Sequence, residues 1–207
     1  MHLTIGRRAR LTVLGAGLIT AAAVALSATG PALADTTDTG GTATITIPRS
    51  YIVHLAKSGV VLLAGAPSTS SYTAGPGNFS STDAYTLPVT GGNGEVSNFY
   101  GTVDLGGTLV VISAAHSQTA TITDLKINFF NGTLTGVIDG AARPVTIAYI
   151  SGNLSSSTGT GTETFTATQL AFGARAAAAL NTALGTTVFA RATNLGSLST
   201  TYDVTVS

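Results

Sequence analysis

The sequence predicts a mainly β protein: an antiparallel β-meander, folded as a sandwich or an open barrel, with two short helices. Three observations support this prediction. Most of the chain consists of short runs rich in Thr, Val and Ile, turn signals that contain glycine separate these runs, and only two stretches carry apolar residues at helical spacing. Hydrophobic residues make up 44% of the 207 residues and charged residues 9%, so the chain has ample apolar material for a core.

Composition also excludes several classes of function. The chain contains 9 basic and 9 acidic residues, and its basic residues form no cluster beyond the first ten positions. Because phosphate backbones are bound by clustered Lys and Arg, we expect no nucleic-acid binding. The chain contains no cysteine, which rules out disulfides and zinc–thiolate sites.

The amino terminus has the pattern of a secretory signal peptide. Three arginines within the first ten residues form a positive region, Leu11–Leu26 is apolar, and a small-x-small cleavage site ends at Ala34. The apolar stretch is shorter than the roughly 20 residues that span a bilayer. We therefore expect residues 1–34 to be cleaved and the mature chain to be secreted, extracellular and without a membrane span.

The mature part is predicted to be a single β-rich domain, residues 42–207, that follows a polar leader at 35–41. Its first element is an edge strand, Thr42–Ile47, which alternates polar and apolar residues and ends at a proline. A short helix then runs from Pro48 to a glycine cap at Gly59, because four apolar or aromatic residues recur there at helical spacing.

The middle of the chain is predicted to be the meander itself. A buried apolar strand at Val60–Ala64 and a long Ser/Gly/Pro-rich loop at Gly65–Asp83 precede it. The apolar residues of its third run change parity, so this run requires a β-bulge near Asp124. Five runs rich in Thr, Val and Ile form the meander: Glu95–Leu105, Thr108–Ser113, Thr119–Phe130, Thr133–Ile138 and Val145–Ile150.

The last third of the chain contains the second helix. A flexible connection at Ser155–Gly161 leads to a strand at Thr162–Ala167. The alanine-rich run Ala171–Leu184 then predicts a helix capped by Gly185, and Leu198–Val206 alternates as a final strand.

Motifs of catalysis are missing from the sequence, so we predict that the protein is not an enzyme. It has no G-x-S-x-G elbow, no H-E-x-x-H helix, no Walker-type glycine loop and no cysteine nucleophile. A carboxylate-dependent glycoside hydrolase is a distant alternative, since two carboxylates suffice for that chemistry. The candidate carboxylates mostly lie beside turns, where Asp is favoured for local hydrogen bonding: Asp83, Glu95, Asp104, Asp124, Asp139, Glu163 and Asp203.

Tyr51, His54 and His116 are the candidate ligand-binding residues, and no catalytic or metal set is predicted. Imidazole is the commonest side chain that binds metals or haem iron. Tyr51 and His54 lie three positions apart on the predicted helix and project toward one cleft, although His54 also suits a rim position over the sheet. His116 lies at a predicted turn tip, where it is either merely solvated or an exposed ligand.

Several short motifs resemble one known family. These are Leu87–Gly92, Gly101–Leu109 and Leu180–Gly185, with Phe189 and Leu195–Gly196 after them. Together they are similar to the HtaA-type β domains of secreted and surface proteins in Gram-positive bacteria, over most of the mature chain.

This resemblance implies haem capture for iron uptake, with Tyr51 as the iron ligand and a histidine in support. A neutral Thr-rich β domain fits a binding or structural module better than an enzyme. Our hypothesis is therefore a secreted, non-catalytic binding or structural module of the cell envelope or extracellular space. Its partner is an unidentified envelope component or a small apolar ligand, and it requires no cofactor. The alternative is a haem-binding protein in iron acquisition.

Overall fold

The computed structural model describes residues 36–73 and 82–206, and the predicted signal peptide lies outside these residues. Two helices and eleven strands make up the described chain. In chain order they are β1 (Thr36–Pro48), α1 (Arg49–Lys57), β2 (Val60–Gly65), β3 (Thr69–Thr73), β4 (Thr82–Gly92), β5 (Thr102–Leu105), β6 (Thr108–Ser113), β7 (Gln118–Asn128), β8 (Thr133–Ile138), β9 (Val145–Thr158), β10 (Thr162–Phe172), α2 (Ala174–Leu184) and β11 (Ser197–Val206).

Eight of the strands form a closed antiparallel barrel. Around the barrel the order is β7, β5, β4, β1, β11, β10, β9 and β8, and β8 returns to pair with β7. The predicted class, mainly antiparallel β with two helices, is confirmed. Closure also requires that β1 and β11, at the two ends of the described chain, pair with each other, and they do so along almost their full length.

Three further strands, β2, β3 and β6, extend the sheet beyond the barrel. β5 and β6 are two halves of one arm that pairs with β7, and the arm bends at Gly106–Gly107. Gly107 has φ +88, and a Cβ there would lie 1.9 Å from Ser68 Oγ, so the bend requires glycine. β5 pairs with β4, whereas β6 pairs with β2 and the first half of β4 pairs with β3. β4 and β6 are therefore not paired with each other.

The first strand differs from the prediction in position and length. β1 begins at Thr36 and pairs with β11 on one side and β4 on the other, so it is an interior strand and not the expected edge strand. Most of the predicted polar leader belongs to it, with a bulge at Gly40. Alternation of polar and apolar residues predicts a strand, but it does not show whether that strand has one neighbour in the sheet or two.

The prediction of a loop at Gly65–Asp83 was wrong in part, because this stretch contains β3 and the start of β4. Residues 74–81 of the predicted loop lie outside the described residues. β2 is an edge strand with Val61 and Leu63 exposed, and not the buried strand expected at Val60–Ala64. The predicted strand at Glu95–Leu105 is shorter, since only β5 is extended there. The predicted bulge in β7 is confirmed, with Asp124 at φ +50 beside a register shift.

The two helices lie at the same end of the barrel. α1 follows β1 and α2 follows β10, and both confirm the predicted helices. α2 buries Ala176, Ala177, Leu180 and Leu184 and ends at Gly185, whose φ of +62 is the predicted left-handed cap. α1 buries only Tyr51 and Leu55. We call this the helix end, and the other end of the barrel the loop end.

The strands predicted at Val145–Ile150 and Thr162–Ala167 are longer than expected. β9 continues to Thr158 and β10 to Phe172, so most of the predicted flexible connection at Ser155–Gly161 is a paired hairpin. The inward positions of these and the neighbouring strands form the core, with Phe165, Leu170, Leu198 and Tyr202 fully buried. Its apolar area is the main stabilising contribution.

Candidate functional site

A small apolar cavity lies inside the barrel at the helix end. Its volume is about 60 Å³, and both helices and the segment after α2 contribute to its wall. Its lining is hydrophobic throughout, because Tyr51 and Tyr85 contribute their rings, and it also includes Ile45, Ile47, Leu55, Leu180 and Phe189. Such cavities stay dry unless an apolar group fills them, because water needs polar partners.

Among the residues that line this cavity, Tyr51 has an unusual hydroxyl group. Tyr51 is 7% exposed, and within the described residues its oxygen is buried without a hydrogen-bond partner. Buried hydroxyls are nearly always paired, and an unpaired one costs about 1–3 kcal/mol. Burial also raises the pKa of Tyr51 to about 12, so the phenol keeps its proton at neutral pH.

Tyr85, which lines the same cavity, shows the ordinary arrangement of a buried hydroxyl. Its hydroxyl donates to the carbonyl oxygen of Leu62 at 3.1 Å. Burial, together with the neighbouring Asp83 carboxylate, raises the pKa of Tyr85 to about 12. The two tyrosines share a cavity and a protonation state, and they differ in whether the oxygen is paired.

His54 lies beside Tyr51, as their spacing on the helix predicts. The two rings are 6.1 Å apart between centroids and tilted by 30°. The His54 side chain is exposed, and its Nε2 lies 3.4 Å from the carbonyl oxygen of Val188, in the segment after α2. His54 therefore links the outer face of α1 to that segment, at the rim of the cavity.

His116 is exposed in the turn between β6 and β7, where the sequence places it. Its Nδ1 lies 3.1 Å from Ser113 Oγ, and its ring packs beside Gly185 at the end of α2. In the described part of the chain, the structure thus brings Tyr51 and His54 into contact, while His116 contacts α2 and not Tyr51. All three candidate residues lie at the helix end.

The packing beneath α1 is incomplete. A second cavity of about 80 Å³ shares Ile47, Leu55, Leu62 and Tyr85 with the first. A helix of nine residues with two buried side chains over two voids gains little packing energy. α1 is therefore the element at the helix end that costs least to displace.

The loop end contains a buried acidic group that the sequence did not predict. Asp38 is 1% exposed and its Oδ2 accepts from the backbone N–H of Gly94 at 2.7 Å, while its Oδ1 has no partner among the described residues. Burial, and next the nearby Glu163 carboxylate, raise the pKa of Asp38 to about 6, against the lowering effect of the Gly94 bond. Glu163 in turn accepts from the Tyr202 hydroxyl at 2.9 Å and the Val96 N–H at 2.8 Å.

This acidic pair fixes the loop between β4 and β5. Gly94 and Val96 are held by Asp38 and Glu163, and the fully buried Val96 enters the barrel. Burial, and then the bond to Glu163, raise the pKa of the Tyr202 hydroxyl, which keeps it a donor. We assign these groups a structural role.

The described residues contain neither a metal-binding cluster nor a membrane-spanning helix. Across residues 36–73 and 82–206, no group of three or more His, Cys, Asp or Glu side chains is arranged to hold a metal ion. In the same ranges, no helix has the length and apolar character needed to cross a membrane.

Comparison with known proteins identifies a similar fold. No family model and no curated protein matches this sequence. Among solved structures, the C-terminal domain of HtaA from Corynebacterium glutamicum is similar, with a TM-score of 0.55 and 13% sequence identity over 82% of this chain and 99% of that chain. The chain therefore has a fold similar to that of this HtaA domain, and at this identity the likeness concerns the fold alone.

Proposed function

We propose that the protein is a secreted, non-catalytic binding module that takes an apolar ligand at the helix end of its barrel, beside Tyr51. The observation that carries this proposal is the unpaired, buried hydroxyl of Tyr51, a residue whose ring lines an apolar cavity. A sequence selected only for stability has no reason to keep that oxygen, because phenylalanine fills the same space without the cost of an unpaired hydroxyl. A ligand that pairs with the oxygen accounts for it.

Haem is the specific ligand that we propose for this site. The oxygen of Tyr51 has no competing partner, and the surrounding side chains are apolar, as the faces of a porphyrin require. When bound, haem supplies an iron that accepts an oxygen ligand. Tyr51 must release its proton on binding, so the affinity is expected to increase with pH.

The enclosed space implies that binding displaces α1. The cavity of about 60 Å³ is far below the roughly 300–1,000 Å³ of ligand pockets, so a macrocycle requires an opening between the helices. We expect α1 to be the element that moves, because voids lie beneath it and only two of its side chains are buried. His54 contacts both Tyr51 and the segment after α2, so it lies at the edge that must open.

A hydrolase is not favoured by the arrangement of carboxylates. Asp38 and Glu163, the pair brought together at the loop end, hold backbone N–H groups and face the barrel interior. Asp104 forms an ion pair with Lys126 at 2.8 Å, and the Asp139 carboxylate accepts from the Thr121 N–H at 2.7 Å. These carboxylates serve local structure, which supports a binding module.

The test is a haemin titration of the protein, followed by Soret absorbance, with two matched variants. Both variants change residues that line the same cavity: Tyr51→Phe removes the unpaired oxygen, and Tyr85→Phe removes the paired one. We expect a saturable Soret shift in the wild type and in Tyr85→Phe, and an affinity at least about tenfold lower in Tyr51→Phe. His54→Ala and His116→Ala then identify the supporting histidine.

Two results would contradict the proposal. Unchanged affinity in Tyr51→Phe would show that haemin binds elsewhere on the surface. Absence of any shift at micromolar haemin would remove haem as the ligand, and Tyr51→Phe would then be tested against other apolar ligands by thermal shift.

A further inference from the structure

An open groove at the loop end of the barrel lies far along the strands from Tyr51. Its volume is about 490 Å³, within the roughly 300–1,000 Å³ range of small-molecule sites. Six residues line it, from the β4–β5 loop, β5, β7 and the turn after β7: Asn93, Tyr100, Gly101, Thr102, Asn128 and Phe130. None of the six carries a charge.

Two exposed aromatic rings that contact each other line the groove. Phe130 is 74% exposed and Tyr100 is 50% exposed, and their rings meet edge to face with centroids 6.4 Å apart. Burial of apolar area stabilises a protein, so two large rings in solvent contribute less to stability than they would in the core. Adjacent exposed apolar side chains are typical of binding sites. A pair of ring faces at an angle of 73° offers a platform for a flat, partly apolar ligand.

Two carboxamides also line the groove, and their N–H donors are unused among the described residues. Asn93 Oδ1 accepts from the Thr102 N–H at 3.1 Å, and Asn128 Oδ1 accepts from the Asn131 N–H at 2.9 Å. These bonds fix the orientation of both amides. Within the described residues neither Nδ2 group has a protein partner, so each can donate to a ligand.

The loop that carries Tyr100 is held by its own backbone hydrogen bonds in the absence of a ligand. Glu95 and Tyr100 exchange both backbone hydrogen bonds, and Phe99 between them is held at a φ of +51. Gly101 has φ +77, and a Cβ there would lie 2.0 Å from the carbonyl oxygen of Asn93. Non-glycine residues at positive φ are costly and cluster at ligand sites, and a preorganised site loses less entropy on binding.

We propose that this groove binds an uncharged saccharide unit through the Tyr100 and Phe130 rings and the Asn93 and Asn128 amides. A pyranose has an apolar C–H face that packs on aromatic rings and a rim of hydroxyls that accept from amide N–H groups. It carries no charge, which matches the uncharged lining. The groove is separate from the Tyr51 site, so this proposal stands independently of the ligand bound there.

The test is saturation-transfer NMR and calorimetry of the full-length protein with maltohexaose, cellohexaose and mannohexaose, and with oligogalacturonate as a charged comparison. We expect saturable binding of at least one neutral hexasaccharide, with a Kd of about 0.1–10 mM, and weaker or no binding of the charged one. Phe130→Ala is expected to lower the affinity at least about tenfold, and its exposure makes it safe for folding. Tyr149→Ala, on an exposed ring outside the groove, is the control and should bind like the wild type.

A second variant tests the amide. Asn128→Asp keeps the Oδ1 acceptor for Asn131 and removes the Nδ2 donor, so we expect a similar loss of affinity with an unchanged thermal midpoint. Absence of binding by all three neutral sugars at about 10 mM, or equal binding by Phe130→Ala, overturns the proposal. Self-association that Phe130→Ala abolishes, without sugar binding, would assign the groove to a second copy of the chain and also overturn it.

Discussion

Asp38 makes the stability of the protein depend on pH in a direction opposite to that of most carboxylates. Burial raises its pKa from 3.8 to about 6 in the folded chain. The folded state therefore holds the Asp38 proton more tightly than the unfolded state does. Its contribution to stability is fully present below pH 3.8 and is lost as the pH rises through 6. At about 1.4 kcal/mol for each pKa unit, the loss is about 3 kcal/mol.

The variant Asp38→Asn isolates this contribution. Asparagine keeps an acceptor for the Gly94 N–H and does not ionise. We expect urea unfolding to show that Asp38→Asn becomes more stable relative to wild type by about 2–3 kcal/mol between pH 4 and pH 7. Asp203→Asn, an exposed change on the adjacent strand β11, should show no such trend. A difference between Asp38→Asn and wild type that stays constant with pH, or that falls as pH rises, would refute the reasoning.

Further predictions concern stability and local geometry. Tyr85→Phe should lower the free energy of unfolding by about 1 kcal/mol in urea unfolding, because Leu62 loses its donor, whereas Tyr51→Phe should be neutral or stabilising. Leu180→Ala, at 2% exposure, should cost about 2–5 kcal/mol by the same measurement. Gly101→Ala should lower the thermal midpoint by several degrees and abolish binding in the groove, because its Cβ overlaps the backbone of the same loop; an unchanged midpoint would contradict the positive φ.

Most elements of the barrel follow from local sequence patterns. Alternation with a period of two places β7, β8 and β11 within a few residues of their observed bounds, because one face of each strand is buried. Both helices follow from apolar spacing and a glycine cap. Closure of the barrel does not, since it depends on pairing between β1 and β11, which lie at opposite ends of the described chain.

β4 shows how a proline conceals a strand. Tyr85, Leu87 and Val89 alternate as buried residues, but Pro88 between them argues against a central strand. The Pro88 carbonyl accepts from the Gly106 N–H at 2.8 Å. In an antiparallel strand the N–H and the carbonyl of one residue point to the same side, so the N–H that proline lacks would also point to this side. On this side the partner of β4 changes from β3 to β5. The proline is tolerated because that edge has a break in pairing, which only the tertiary structure reveals.

The candidate sites were predictable to different degrees. Tyr51 and His54 follow from helical spacing and from the family resemblance, and the structure places them together. Asp38 has no local signal, because its Thr- and Gly-rich surroundings are typical of a polar leader and its burial comes from strands distant in sequence. The groove at Tyr100 and Phe130 was missed because the rings lie about 30 residues apart and meet only across two loops.

The most direct test of a ligand site beside Tyr51 is an NMR measurement with haemin, whose iron is paramagnetic. Amide resonances of ¹⁵N-labelled protein would be recorded with and without one equivalent of haemin. We predict broadening centred on α1, α2, the segment that includes Val188 and the strand residues that line the cavity, with the resonances around Asn93 and Asn128 unchanged. Broadening centred on the loop end, or spread evenly over the surface, would contradict the assignment of the ligand site to Tyr51.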